Sequence, residues 1–264
     1  MKQIASRDNP GFKALKSLAE DAREQRRQGL TLLDGVHLLE AYRDKIGPPQ
    51  RLILSEHGAA QAEVQALCAT LPGVETLLLR DSLFKMLSEV ATPVGILAVI
   101  PIPTGASAAL DAAPMGSCVL LDGVQDAGNV GSILRTAAAA GISRIFLGPG
   151  CAGAWTPRVL RAAQGAHFDL HIREQADLAK LMRDFPGLTV AATAHGGEAT
   201  DLYLLNLKGS VAWLFGSEGR GISPHLEAAA GKRAIVPMAP GSESLNVAAA
   251  AAVCLFETFR QNNR

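Results

Sequence analysis

The sequence predicts an α/β protein made of two domains, and three observations carry that prediction. Helix-patterned and strand-patterned segments alternate along most of the chain. A stretch rich in proline, glycine, alanine and serine, residues 101–116, interrupts the alternation. Beyond it, three glycine-containing polar clusters each follow a short apolar run, the place where parallel sheets carry ligand sites.

Residues 1–30 are polar and helical in pattern. Lys2, Arg7, Lys13, Lys16, Arg23, Arg26 and Arg27 outnumber Asp8, Glu20, Asp21 and Glu24 there, a modest surplus that suits a solvated helix face as well as an RNA contact. Alternation then begins: helix 36–45, strand 51–54, helix 58–70, strand 74–79, short helix 81–88 and apolar strand 95–100. These define a small α/β domain, residues 1–105. Pro101, Pro103 and Pro114 mark the break, with a linker at 106–115.

The second domain, 116–264, opens on a buried-strand run at 118–121. A helix at 130–140 ends before Gly141, where a C′ glycine belongs. A strand follows at 144–147. Thr156 and Pro157 start another helix as N-cap and first residue. Strands at 167–172 and 189–192 enclose a helix at 174–184. A strand at 211–215, a helix from Ser223-Pro224, a short strand at 234–236 and an Ala-rich helix at 245–260 close the chain. Strands between helices imply a mostly parallel sheet.

Hydrophobic residues at 48% and charged residues at 19% are enough for a core in each domain, which excludes a wholly disordered chain. With aromatics at 5%, alanine and the aliphatics must carry those cores. The 25 basic and 25 acidic side chains cancel, so any nucleic-acid contact must come from a local patch. Cys68, Cys118, Cys151 and Cys254 show no C-x-x-C spacing and the six histidines no ligand spacing, so no metal is expected. His195, before Gly196-Gly197, suits a pocket lining, though a loop histidine without a partner is more often structural or solvated. No signal-like segment opens the chain, and the apolar run 247–256 is too short to span a bilayer, so a cytoplasmic protein without a membrane partner is expected.

The three polar clusters are 122–131 running on to Arg135, 216–223 and 236–246. Asn129 at a helix start suits an ordinary N-cap as well as a ligand contact. Arg135 sits in an apolar helix with Ile133 and Leu134, where a guanidinium needs an anionic or carbonyl partner. Glu218 either caps the next helix or pairs an arginine. A competing signal is Gly148-Pro-Gly-Cys-Ala-Gly153, which matches a dinucleotide fingerprint with Glu174 downstream. Pro149 removes a donor from that turn, and the helix opens only at Thr156-Pro157, away from where a pyrophosphate would sit.

Taken together and in order, N-V-G-S-I-L-R-T-A-A-A-A-G, L-F-G-S-E-G-R-G-I and V-P-M-A-P-G-S-E-S-L-N-V-A resemble the three motifs of the SpoU branch of the SPOUT RNA ribose methyltransferases. Upstream, L-L-D-G-V-H-L-L-E-A and A-T-P-V-G-I-L-A-V-I resemble the ribosomal-protein-like RNA-binding domain many members carry, so the likeness covers most of the chain. The resemblance implies a catalytic domain with a C-terminal trefoil knot, S-adenosyl-L-methionine as cofactor, 2′-O-methylation of ribose in ribosomal RNA, and a homodimer. It places Asn129, Arg135, Glu218, Ser244 and Asn246 in catalysis and Thr193, Ala194, Gly216, Val236, Met238 and Leu245 around the cofactor. Arg161 is expected at RNA phosphate, or equally in a surface salt bridge. Pro240 and the alanines at 248–251 depart from the family's pattern. A transfer RNA substrate, an NAD-dependent oxidoreductase and a non-catalytic RNA-binding protein are the alternatives.

Overall fold

The structure, a computed structural model, describes residues 2–103, 116–194, 199–242 and 244–263. The expected linker 106–115 and His195 lie outside the described residues. The chain divides into two compact units, Met1–Pro103 with Trp155–Phe168, and Thr104–Ala154 with Asp169–Arg264.

The first unit contains β1 (Lys2–Ile4), α1 (Pro10–Glu20), α2 (Ala22–Gln28), β2 (Leu30–Asp34), α3 (Val36–Lys45), β3 (Arg51–Ser55), α4 (Glu56–Ala59), α5 (Ala62–Ala69), β4 (Glu75–Leu79), α6 (Asp81–Phe84) and β5 (Ile96–Pro101). Asn9 caps α1 by accepting from the Gly11 amide, and Pro10 opens the helix. Asp21 ends α1 and caps α2. The sheet order is β1-β4-β3-β5-β2, with β1, β4 and β3 parallel and β5 antiparallel to both its neighbours. Phe12, Leu15 and Leu18 of α1 pack in one core with Leu32, Ile53, Leu77 and Leu97 of the strands. The helical reading of residues 1–30 overlooks β1 and the start of β2. β1 has only three residues, and Thr31, Leu32 and Leu33 of β2 are all buried, so no alternation marks them.

A helix from further along the chain, α8 (Pro157–Ala163), also belongs to this unit and packs on β2. The Thr31 hydroxyl donates to the Trp155 carbonyl at 2.5 Å, and Tyr42 meets Phe168 edge-on at 5.4 Å. Sequence position places this helix in the second domain. Its buried face, Val159, Leu160 and Ala163, does not say which sheet it covers.

The second unit holds β6 (Cys118–Asp122), α7 (Ala127–Ala139), β7 (Arg144–Leu147), β8 (His171–Arg173), α9 (Leu178–Asp184), β9 (Leu188–Ala192), β10 (Thr200–Asp201), β11 (Val211–Gly216), α10 (Pro224–Ala229), β12 (Lys232–Ile235) and α11 (Val247–Asn262). Its sheet runs β10-β12-β9-β11-β6-β7-β8, and every pairing is parallel. Central β11 is buried along its whole length, as an uninterrupted apolar run requires. The Trp213 indole inside it donates to Thr258 of α11 at 2.8 Å.

Among the expected elements whose bounds shift, three stand out in this unit. The strand at 167–172 is a 3₁₀ turn, Ala166–Asp169, followed by β8. The helix at 174–184 starts only at Leu178, because Gln175 has φ 53° and Asp177 provides the cap. The last helix starts at Val247, because Asn246 caps it through the Ala248 and Ala249 amides.

Candidate active site

A parallel sheet puts all its strand C-termini along one edge, so the loops after β6, β11 and β12 meet there. Gly216, the last residue of β11, is in register with Asp122, the last of β6. Beyond Gly216 the chain makes a tight hairpin closed by Ser217 N to Gly221 O at 3.0 Å and Gly221 N to Ser217 O at 2.9 Å. Gly221 takes φ +67°, and a Cβ on Gly216 would lie 2.2 Å from the Gly221 carbonyl carbon, so both positions require glycine. The Asp122 carboxylate accepts from the Ser223 amide at 2.7 Å and from its hydroxyl, bracing the far end of the same loop.

One hydrogen-bonded chain joins the three clusters. The Asn246 amide nitrogen donates to Asn129 Oδ1 at 2.9 Å, and Asn129 Nδ2 donates to Glu218 Oε1 at 2.5 Å. Asn129 is free to do so because Asp126 caps α7 instead, accepting from the Asn129 backbone amide at 2.8 Å. Among the described residues Glu218 neither caps a helix nor pairs an arginine; its bond is to Asn129.

Beside this chain lies a cavity of about 620 Å³, within the usual range for small-molecule sites. Thr193, Ala194, Gly216, Val236, Met238 and Leu245 all line it, as do Glu218, Ser244 and Asn246. Sequence reasoning missed other lining residues: the small apolar Ala192, Ala234 and Ala250, and the charged Arg220 and Glu227. Arg220 stands inside the second motif, and that adjacency is the signal that points to it.

Arg135 is not brought into this group. It is exposed on α7, about 9 Å along the helix and about 120° around it from Asn129. It has no hydrogen-bond or ion-pair partner among the described residues, so the expected anionic or carbonyl partner is not found among them. Arg161 lies on α8 in the first unit, with Nη1 3.5 Å from the Glu89 carbonyl oxygen.

The glycines at 148–153 do not form a dinucleotide turn. The Gly148 and Ala152 amides are used by the Leu121 and Val124 carbonyls, both at 2.9 Å. Glu174 accepts from the Ala154 amide at 2.8 Å, where a ribose partner would need it exposed. Burial pushes the Cys151 thiol up to about 11, and the nearby Asp122 charge adds to this, so it is no nucleophile at neutral pH. Among the described residues no His, Cys, Asp or Glu group is arranged to hold a metal, and no helix is long and apolar enough to cross a membrane.

These features define an α/β protein with a polar-lined cavity at the C-terminal edge of a parallel sheet. Residues 116–256 match the SpoU rRNA Methylase family, and the chain belongs to that family. It is 29% identical over 264 residues to 23S rRNA (guanosine(2553)-2′-O)-methyltransferase RlmP of Bacillus subtilis (strain 168), covering 97% of this chain and 98% of that protein. It is 32% identical to an uncharacterized tRNA/rRNA methyltransferase of Synechocystis sp., covering 98% of this chain and 93% of the relative. The crystal structure of an AdoMet-bound rRNA methyltransferase from Sinorhizobium meliloti superposes with a TM-score of 0.82 at 26% identity, over 98% of this chain and 97% of that one.

Proposed function

We propose that this protein is an S-adenosylmethionine-dependent methyltransferase acting on a ribose 2′-hydroxyl of ribosomal RNA. The observation that carries the reading is the Asn246–Asn129–Glu218 chain, which ties three family motifs together beside a single cavity. The cavity's residues suit the cofactor. Ala192, Ala234 and Ala250 leave an apolar slot for a flat purine, and Gly216 brings backbone close to the ligand. Thr193, Ala194, Val236, Met238 and Leu245 complete its walls.

When bound, S-adenosylmethionine supplies a methyl group already activated on a sulfonium, which leaves the protein the work of alignment. Positioning contributes roughly 7–11 kcal/mol in favourable cases. Ser244 and Asn246 hold the ribose, Asn129 fixes Asn246, and Glu218 anchors Asn129. Arg135 stabilises charge developing on the 2′-oxygen and meets the adjacent phosphate. A guanidinium is always protonated at neutral pH, so it does not accept the proton itself.

The surface position of Arg135 favours a homodimer in which it serves the partner's cavity. Phe256 and Phe259, 45% and 40% exposed on α11, offer an apolar face for that partner. The first unit takes the part of a ribosomal-protein-like RNA-binding domain, with boundaries near 105 and 116, and Arg161 serves either RNA phosphate or the Asp34 carboxylate beside it. The chain around the second and third clusters forms a trefoil knot in this reading, and the enzyme works in the cytoplasm with its RNA. The test is transfer of tritiated methyl groups to 23S rRNA transcripts, with 2′-O-methyl mapping of the product. Methylation on a base, or cofactor binding without transfer to any rRNA, would overturn the proposal.

A further inference from the structure

Three charged side chains line the cavity among the described residues: Glu218, Glu227 and Arg220. Glu218 is held by Asn129, and Glu227 has Arg233 at 3.9 Å. Arg220 makes no side-chain hydrogen bond or ion pair with any described residue. Its backbone is nevertheless well held. It sits in the Ser217–Gly221 hairpin, closed by two reciprocal bonds, and its amide donates to the Ser217 hydroxyl at 3.3 Å. An arginine on a firm loop, lining a cavity that otherwise presents two carboxylates, is placed to receive an anion. RNA brings one wherever it goes, and two lining carboxylates alone would repel it.

We propose that Arg220 contacts the 3′-phosphodiester of the methyl-accepting nucleotide, a contact additional to that of Arg135 and supplied by the same chain that holds the cofactor. This rests on the ribose methyltransferase reading. One residue separates Arg220 from Glu218, so their Cα atoms are within about 7 Å. The 2′-hydroxyl and the 3′-phosphodiester occupy neighbouring ribose carbons. A guanidinium bound to that phosphate fixes the sugar from one side, while Ser244 and Asn246 hold it from the other. Arg220 thereby sets RNA affinity and register, and takes no part in the transfer itself.

The experiment compares Arg220→Ala and Arg220→Lys with the unaltered protein, using a 23S rRNA transcript and tritiated S-adenosylmethionine. Thermal melting checks that each variant is folded. The alanine variant should raise KM for RNA about 10–100-fold, the usual effect of losing a charge-assisted hydrogen bond. Its kcat and cofactor Kd should stay within about threefold, and its salt dependence of RNA binding should lose about one phosphate's worth of slope. Lysine should recover part of the affinity. An unchanged KM in a folded variant overturns the proposal. So does a comparable loss of cofactor affinity, which would assign Arg220 to the methionine carboxylate. Failure of the unaltered protein to bind S-adenosylmethionine would sink the methyltransferase reading as well, and is distinguishable from either result.

Discussion

The two units are both α/β, both rich in buried aliphatics, and differ in one respect that decides where chemistry can gather. In the first, β5 runs antiparallel to β3 and β2, so loops leave the sheet at both edges. In the second, all six strand pairings are parallel, so every strand delivers its following loop to one edge. The three polar clusters meet there, although β6 and β12 are more than a hundred residues apart. Strand direction, more than composition, makes the second unit the carrier of the site.

The sharpest way to break that comparison is Arg135→Ala, which we expect to reduce methyl transfer about 10²–10³-fold with cofactor affinity nearly unchanged. Because Arg135 lies away from its own chain's cavity, the effect should be relieved by mixing. An equal mixture of Arg135→Ala and Asn246→Ala chains, each inactive alone, should regain about a quarter of full activity if two-fold dimers exchange freely. No recovery after verified exchange would place Arg135 in its own subunit's site. It would also make the second unit self-sufficient.

Gly216→Val should have the next largest effect, lowering cofactor affinity about 100-fold. The reason is local: a side chain here meets the Gly221 backbone at 2.2 Å and forces the hairpin open. Hydrogen exchange should show residues 216–222 losing protection even without cofactor. If cofactor binding fails while the hairpin stays protected, the glycine serves the ligand alone.

What is legible in the sequence follows the same division. Strands β6, β7 and β11 of the second unit stand out because each is a short, largely apolar run close to glycine, and burial on both faces leaves it unbroken. Thr193, Ala194, Gly216, Val236, Met238 and Leu245, which the resemblance to the SpoU motifs points to, all line the cavity. Strand β2 is hidden behind α2 with only Gly29 between them. The allegiance of α8 is hidden because its apolar face fits either sheet. Arg135 and Arg220 read alike in the sequence, each an arginine within a motif. The structure separates them: Arg220, on the hairpin, lines the cavity, and Arg135, on α7, does not.

The displaced helix gives a third, smaller test. A fragment ending at residue 105 lacks Trp155–Phe168 and leaves β2 and Tyr42 without their cover. Burying Val159 and Leu160 contributes up to about 3–6 kcal/mol together. The fragment should therefore unfold at lower urea than one in which residues 155–168 are joined on by a flexible linker. Equal midpoints would return α8 to the second unit and restore the simpler domain boundary.

The smallest expected effect separates two roles for Arg161. Asp34, at the end of β2, has its carboxyl pushed up by burial. A hydrogen bond from the Ser88 hydroxyl at 2.6 Å and the Arg161 charge pull it down, but by less. A carboxyl raised in the folded state contributes stability below its unfolded pKa of about 3.9, and that contribution is lost as pH rises through the folded value. Arg161→Ala removes an attraction felt only by the ionised form, so it should raise the folded value further and deepen the loss at neutral pH. The cost should be about 1 kcal/mol or less for so exposed a guanidinium, a fall in Tm of no more than about 2–4 °C. It should vanish below the unfolded pKa, and vanish at every pH in an Asp34→Asn background, where no carboxylate remains to be held. If Arg161→Ala instead leaves Tm unchanged and weakens binding of a 23S rRNA transcript about tenfold, Arg161 faces RNA. The first unit would then contribute a phosphate contact of its own to substrate capture.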